Sequence, residues 1–277
     1  MFESLRHIVP ERIREPIFSK LPPDVEELRF RAGRPIGIVV AGEEKTYIAE
    51  KIFSEDLEYI LLAATQNSVY SANRCLKEGF LILPGGHRLG LCGQVVSESS
   101  TVKTMCEFSS VAIRFSRQIK GIAPTLSSST LIVGPPGSGK TTMLQDSIRN
   151  ISEIRKQRVG VIDERGEIAC AYNGSLQRDL GSRTDVLSGC NKHTGVMMIL
   201  RSMNPQWIAL DEITKKEDAD MLMEAAHCGV KFLATAHAFN WYDLKKRPAY
   251  KLFWEEKVFH SVLFLNVDHS FTLEDVK

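Results

Sequence analysis

The sequence predicts an α/β protein in two parts: a C-terminal domain built on a parallel sheet over residues 121–277, preceded by a smaller α+β domain over residues 1–120. Three observations carry this. At 277 residues the chain is long enough for two separate cores and unusually long for one. Beyond "KGIAPTLSSST" (120–130), where Gly, Pro and Ser cluster, apolar strands alternate with helix-compatible stretches, the pattern of a parallel sheet. Before that point β-rich runs follow one another around one helical stretch, the pattern of an antiparallel sheet carrying a helix.

In chain order, "DVEELRFRAGRPIGIVVAGEEKTYIA" (24–49) holds three β-rich runs broken at "AGRP" and "AGEE", which predicts an antiparallel meander. Ser54 is placed to N-cap a helix running through about Tyr70, with Leu57, Ile60, Leu61 and Ala64 on one face. Further β-like runs follow at "GFLIL", "HRLGLCGQVV" and "SSVAIRF", with "PGG" as a turn. Past the boundary come a strand in "TLIVG", a helix in "TTMLQDSIRNISEI", and strands ending in "VID", "WIALDEI" and "VKFLATAHAFN".

Composition narrows the function classes. Hydrophobic residues at 43% and charged residues at 25% are ordinary for a globular protein. Thirty-five Lys and Arg against 34 Asp and Glu leave a net charge of +1, so there is no global field to recruit nucleic acid. Six scattered cysteines without a C-x-x-C pair favour reduced thiols in a cytosolic compartment. The N-terminus lacks a signal-peptide core, and no apolar run approaches the roughly 20 residues that cross a bilayer. Any membrane role is therefore expected to be peripheral.

The strongest chemical signal is the phosphate-binding pattern Gly134-Pro135-Pro136-Gly137-Ser138-Gly139-Lys140-Thr141, set between a strand and a helix. Glycines let backbone N–H groups wrap phosphates, and the helix N-terminus adds partial positive charge. The loop from Gly134 through Thr142 is expected to hold ATP, with Lys140 reaching the β- and γ-phosphates and the Thr141 hydroxyl ligating Mg²⁺. Strand "WIALDEI" ends in Asp211 and Glu212. An acid at such a strand end holds the Mg²⁺ shell, and its neighbour can orient the attacking water, which makes Asp211 the metal-side and Glu212 the catalytic candidate. Strand "VKFLATAHAFN" delivers Thr235 and His237 where open α/β sheets bind ligands, so His237 is a candidate γ-phosphate contact.

"VIDERGEI" adds Asp163, Glu164, Arg165 and Glu167 at another strand exit. This acidic box, the "LR…P…DEI" run (Leu200, Arg201, Pro205, Glu212, Ile213) and "ATAHAFN" (Thr235, His237) together resemble the Asp box, Walker B region and His box of the secretion-ATPase superfamily, the ring motors of type II and type IV secretion and pili. Departures mark a divergent branch: Arg165 stands where that box usually has proline, Val230 where the His box has its upstream histidine, and Asp211 where those motors usually carry glycine. A second likeness, of Leu187-Ser188-Gly189 to the ABC-type signature, breaks at Cys190 and Asn191. The interval from Gly139 is also too short for that family's helical subdomain.

The resemblance implies a RecA-like ATPase domain, Asp163 and Glu164 as a second acidic wall with either of them the alternative to Glu212 as general base, and arginines from the N-terminal module or a neighbouring subunit set against phosphates. Arg29 and Arg31 in "LRFRAGR" are the candidates, with Arg34 beside them. It further implies a homohexamer. The words "EELRFRAGRPI", "GGHRLGLCGQVV" and "RQIKGIAPTL" resemble a sporulation branch of the superfamily in endospore-forming Firmicutes. That branch implies a cytosolic, membrane-peripheral ATPase on the mother-cell side, acting with membrane-embedded channel or secretion proteins between mother cell and forespore. The residues leave two alternatives open: a nucleic-acid-dependent P-loop ATPase, and an ABC-like or nucleotide-gated scaffold that binds ATP without turnover.

Overall fold

The computed structural model describes residues 2–68, 73, 76–77, 79–98, 101–246 and 248–276. The chain forms two compact units, Met1–Arg117 with Tyr172–Gln177, and Gln118–Ala171 with Arg178–Lys277.

The first unit opens with a 3-10 turn (Glu3–Ile8) and α1 (Glu11–Phe18), followed by β1 (Glu27–Arg31), β2 (Pro35–Val40), β3 (Glu43–Lys51), α2 (Ser54–Ala64), β4 (Phe80–Leu83), β5 (His87–Glu98) and β6 (Thr101–Arg114). The six strands make one antiparallel sheet in the order β3-β2-β1-β6-β5-β4. Alternation along β1 buries Leu28 and Phe30 and turns Glu27, Arg29 and Arg31 to the other face. The buried residues pack with Ile13 and Ile17 of α1 and with Leu57, Ile60 and Leu61 of α2.

Two expectations here are corrected. Helix α2 is capped by Phe53 rather than Ser54: the Phe53 amide donates to the Asp56 carboxylate (2.7 Å), so the acid supplies the cap that the serine does not. The helix also ends at Ala64 rather than near Tyr70, because Gln66 and Asn67 take left-handed backbone angles; Tyr70 itself lies outside the described residues. Strand β6 starts eight residues before the "SSVAIRF" run. From Cys92 outward β5 is mostly exposed, so ladder hydrogen bonds rather than packing define this part of the hairpin, and hydrophobic alternation is absent.

The second unit runs β7 (Thr130–Val133), α3 (Lys140–Glu153), β8 (Val159–Asp163), β9 (Thr184–Ser188), α4 (Lys192–Met203), β10 (Trp207–Leu210), α5 (Lys216–Ala226), β11 (Lys231–Ala236), α6 (Trp241–Lys246), α7 (Pro248–Glu255), β12 (Ser261–Leu265) and β13 (Phe271–Asp275). Its seven strands lie in the order β13-β12-β7-β11-β10-β8-β9. All neighbours are parallel except the edge strand β13. Strands β7, β8 and β10 are buried along their whole length, as expected when helices cover both faces. On one face Ile132, Val161, Ala209 and Leu233 pack under Met143, Leu144 and Ile148 of α3. On the other, Leu131, Ile208 and Phe232 pack with Val196 of α4, Leu222 of α5 and Phe253 of α7. The Leu187-Ser188 pair, whose wording is ABC-like, is the end of edge strand β9, paired in register with Ile162 and Asp163.

Asp146 on α3 ties the start of this unit to the helix. Its buried carboxylate accepts from the amides of Ile122 and Ala123 (2.8 Å each) and from Arg149 (2.9 and 3.1 Å). Burial alone would push this carboxyl up, but the amides of Ala123, Gly121 and Ile122 together with Arg149 outweigh it and hold the pKa below the ordinary aspartate value. A depressed folded-state pKa gives stability that is present above the unfolded value and is lost as pH falls through the folded one. Asp146→Ala is expected to cost about 1–3 kcal/mol by removing the acceptor of two part-buried amides and of Arg149, and to flatten the acid limb of a Tm-against-pH profile measured below about pH 5.

Candidate functional site

The phosphate loop sits between β7 and α3, and its sequence dictates its shape. Gly137 and Gly139 have φ of 78° and 87°, angles that favour glycine. A Cβ on Gly134 would lie 2.6 Å from Ser138 Oγ and 2.7 Å from the Leu265 carbonyl oxygen, so β12 leaves no room for a side chain there. Lys140 curls back, donating to the carbonyls of Gly134 (3.0 Å) and Pro135 (2.8 Å). Burial lowers the Lys140 pKa, opposed by the nearby Asp211 and Glu212 carboxylates. Ser138 Oγ donates to the Pro135 carbonyl (2.9 Å) and closes the loop on itself.

Sheet order brings the other elements to this loop. Strand β11 lies beside β7, and β10 beside β11, so Thr235 and the Asp211-Glu212 pair arrive at neighbouring strand ends. Asp211 Oδ2 accepts from the Thr141 hydroxyl (3.4 Å), and Asp211 Oδ1 accepts from Thr235 Oγ1. The same Thr235 oxygen accepts the Glu212 amide (2.7 Å), while the Thr235 carbonyl accepts the Ile213 amide (2.8 Å). Thr235 therefore fixes both acids at once. Glu212 is held at φ 46°, a left-handed angle uncommon for a residue with a side chain and one that concentrates at functional sites.

An open cleft of about 390 Å³, within the usual range for ligand pockets, is lined by Pro136, Gly137 and Gly139–Thr142 of the phosphate loop, by Asp211, Glu212, Thr235 and His237, and by Glu167. His237 Nε2 stands 3.5 Å from Glu212 Oε1, and its Nδ1 is buried without a partner among the described residues. A buried ring nitrogen of this kind is open to a ligand.

The acidic box divides among three tasks. Asp163 is buried at 1% exposure and accepts from the amides of Glu167 (2.9 Å), Ile168 (3.1 Å) and Ala169 (2.9 Å). Burial pushes its pKa up; those three amides oppose the rise, and Asp211 adds to it. It shapes its own loop. Glu164 pairs with Lys192 (2.8 Å) and Glu212 with Arg165 (2.9 Å), whereas Glu167 faces the phosphate loop's cleft. In the first unit Arg29 pairs with Glu27, and Arg31 with Glu44. Lys192 and the double role of Thr235 are absent from the expectations; the one sequence signal for them is their position at a helix start and a strand end.

Sheet, loop and strand-end acids define the class: a RecA-like P-loop fold of the kind that secretion ATPases have. The ATPase DotB of Legionella pneumophila matches 90% of this chain and 75% of its own at TM-score 0.59 and 16% identity. The pilus retraction motor PilT with bound ADP matches 90% and 76% at TM-score 0.59 and 14% identity. The chain belongs to the family Sporulation stage III, protein AA, matched over residues 3–272. Stage III sporulation protein AA of Bacillus subtilis (strain 168) is 38% identical over 278 residues, 95% of this chain and 90% of that protein. Among the described residues no helix is long and apolar enough to cross a membrane.

Proposed function

We propose that the protein is a Mg²⁺-dependent ATP hydrolase that works as a homohexameric ring during sporulation, docked on membrane-embedded channel or secretion proteins between mother cell and forespore. The observation that carries the hydrolase reading is the single cleft in which Lys140 and Thr141 face Asp211, Glu212, Thr235 and His237. The sporulation setting rests on the family, and the ring and channel rest on the likeness to secretion motors.

The loop amides from Gly134 to Thr142 and the Lys140 ammonium would hold the phosphates, with Lys140 exchanging its two carbonyl partners for phosphate oxygens. Thr141 and Asp211, already in contact beside Lys140, fit as the protein's contribution to Mg²⁺. Among the described residues no three His, Cys, Asp or Glu side chains converge on one point, so the ion would need phosphate oxygens to complete its shell. Bound there, Mg²⁺ neutralises charge on the phosphates. Glu212 orients the water that attacks the γ-phosphorus as the bond to the β-bridging oxygen breaks, and His237 contacts the γ-phosphoryl oxygens. Asp163 maintains the loop, and Glu164 and Glu167 set the local negative field. Arg29 and Arg31 would each exchange a carboxylate partner for phosphate to act as ring arginines.

Phosphate release is expected with ATP and Mg²⁺ and to stop on chelation; ATP binding without release would instead establish the nucleotide-gated scaffold. Light scattering with ATP at high protein concentration is expected to give six times the chain mass, and a monomer under those conditions removes the ring.

A further inference from the structure

Glu212 has a different neighbour at each of its carboxylate oxygens, and one of them holds it by a hydrogen bond. His237 Nε2 stands 3.5 Å from Oε1, and both side chains line the cleft that contains Lys140 and Thr141. Arg165 Nη1 donates to Oε2 at 2.9 Å, yet Arg165 does not line that cleft; with Asp163, Glu164 and Lys192 it lines an adjoining recess that shares Glu167, Asp211 and Glu212 with the cleft. Arg165 is delivered there by a loop with little freedom. Asp163 at one end of it accepts three backbone amides from residues 167–169, and Gly166 makes the turn at φ 72°. The neighbouring acid, Glu164, is occupied by Lys192, so within this acidic loop the arginine is matched to Glu212 rather than to Glu164. With a left-handed backbone and its amide tied to Thr235, Glu212 is fixed at the main chain, and Arg165 supplies the hydrogen bond that anchors its carboxylate.

We infer that Arg165 is a positioning residue for Glu212: it grips one carboxylate oxygen, Oε2, and so presents the other, beside His237, to the attacking water. This rests on the reading of Glu212 given above. Arg165 is two-thirds exposed, and exposed ion pairs contribute little to folding, so its removal should register in turnover and not in stability. Among the described residues it has no hydrogen bond or ion pair to the phosphate loop, so ATP affinity should be spared. Orientation of a catalytic group acts on the transition state, which places the loss in kcat.

The test is steady-state phosphate release by the full chain with Arg165→Ala, Arg165→Lys, Glu212→Gln and the double variant Arg165→Ala/Glu212→Gln, with Tm measured for each. Arg165→Ala is expected to lower kcat by about ten-fold or more, with KM within about two-fold. Arg165→Lys should recover most of that loss, since one donor to Oε2 suffices. In the Glu212→Gln background the alanine change should have no further effect, because two residues acting as a unit are not additive. Wild-type or raised kcat in Arg165→Ala overturns the inference and leaves the role of Glu212 standing. An equal, additive loss in both backgrounds overturns it as well. Wild-type turnover by Glu212→Gln removes both readings. If Arg165→Ala fails to fold, Arg165→Lys and Arg165→Gln decide: lysine active and glutamine impaired supports the positioning role, and equal kcat in the two overturns it.

Discussion

Lys140→Ala is expected to leave ATP binding undetectable at concentrations up to about ten times the wild-type Kd. Lys140 is the cation of the loop, largely buried and, among the described residues, hydrogen-bonded only to its own loop's carbonyls, so those two contacts are what an arriving phosphate displaces. Charge-assisted hydrogen bonds are worth about 1.5–3 kcal/mol each, so losing two of them weakens binding by roughly two to four orders of magnitude. The fold should survive, because truncation leaves two carbonyls that Ser138 and water can serve, and because α3 packs through Met143, Leu144 and Ile148. Titration with a fluorescent ATP analogue, alongside circular dichroism, measures this. Binding within a few-fold of wild type would show that the loop amides suffice without the ammonium.

Glu212→Gln is expected to do the opposite: bind ATP with near wild-type affinity and hydrolyse it about a hundred- to a thousand-fold more slowly. The amide is isosteric, keeps the left-handed backbone and the bond from its own N–H to Thr235, and loses only the negative charge that draws a water proton. Single-turnover phosphate release with binding measured in parallel separates the two quantities. Normal turnover would transfer the role to the 163–167 loop. There Glu167 is the acid that lines the cleft, since Asp163 is committed to three amides and Glu164 to Lys192.

The two variants also bear on how much of the site can be read from the chain. The phosphate loop is legible because its chemistry is contiguous: glycines, lysine and threonine act within one turn of backbone, and the flanking strand and helix are local as well. Asp211, Glu212, Thr235 and His237 are legible as strand-end residues, but not their mutual bonds. The Thr235 hydroxyl joins Asp211 to the Glu212 amide because β10 and β11 are hydrogen-bonded neighbours, 24 residues apart in sequence. Arg165 meets Glu212 for the same reason, through the pairing of β8 with β10 across 47 residues. Strands β9, β12 and β13 pass unread in the sequence: β9 and β13 are edge strands without a buried run, and β12 follows a helix with no turn residue to announce it.

Local residue patterns were thus enough for the α/β fold class, for the glycine-rich loop between a strand and a helix and for the set of charged strand ends, since each depends on residues a few positions apart. Packing alone assigned the charges their partners. Strand order is a property of the folded sheet, because burial of both faces selects which strands lie side by side, and the folded arrangement sends Glu164 to Lys192 and Arg165 to Glu212, while Asp163 bonds locally within its own loop. The run "VIDERGEI" contains every one of these side chains, and an isolated peptide of that sequence would hold none of the pairs with Lys192 or Glu212, since the energy that aligns them comes from the cores on either side of β8.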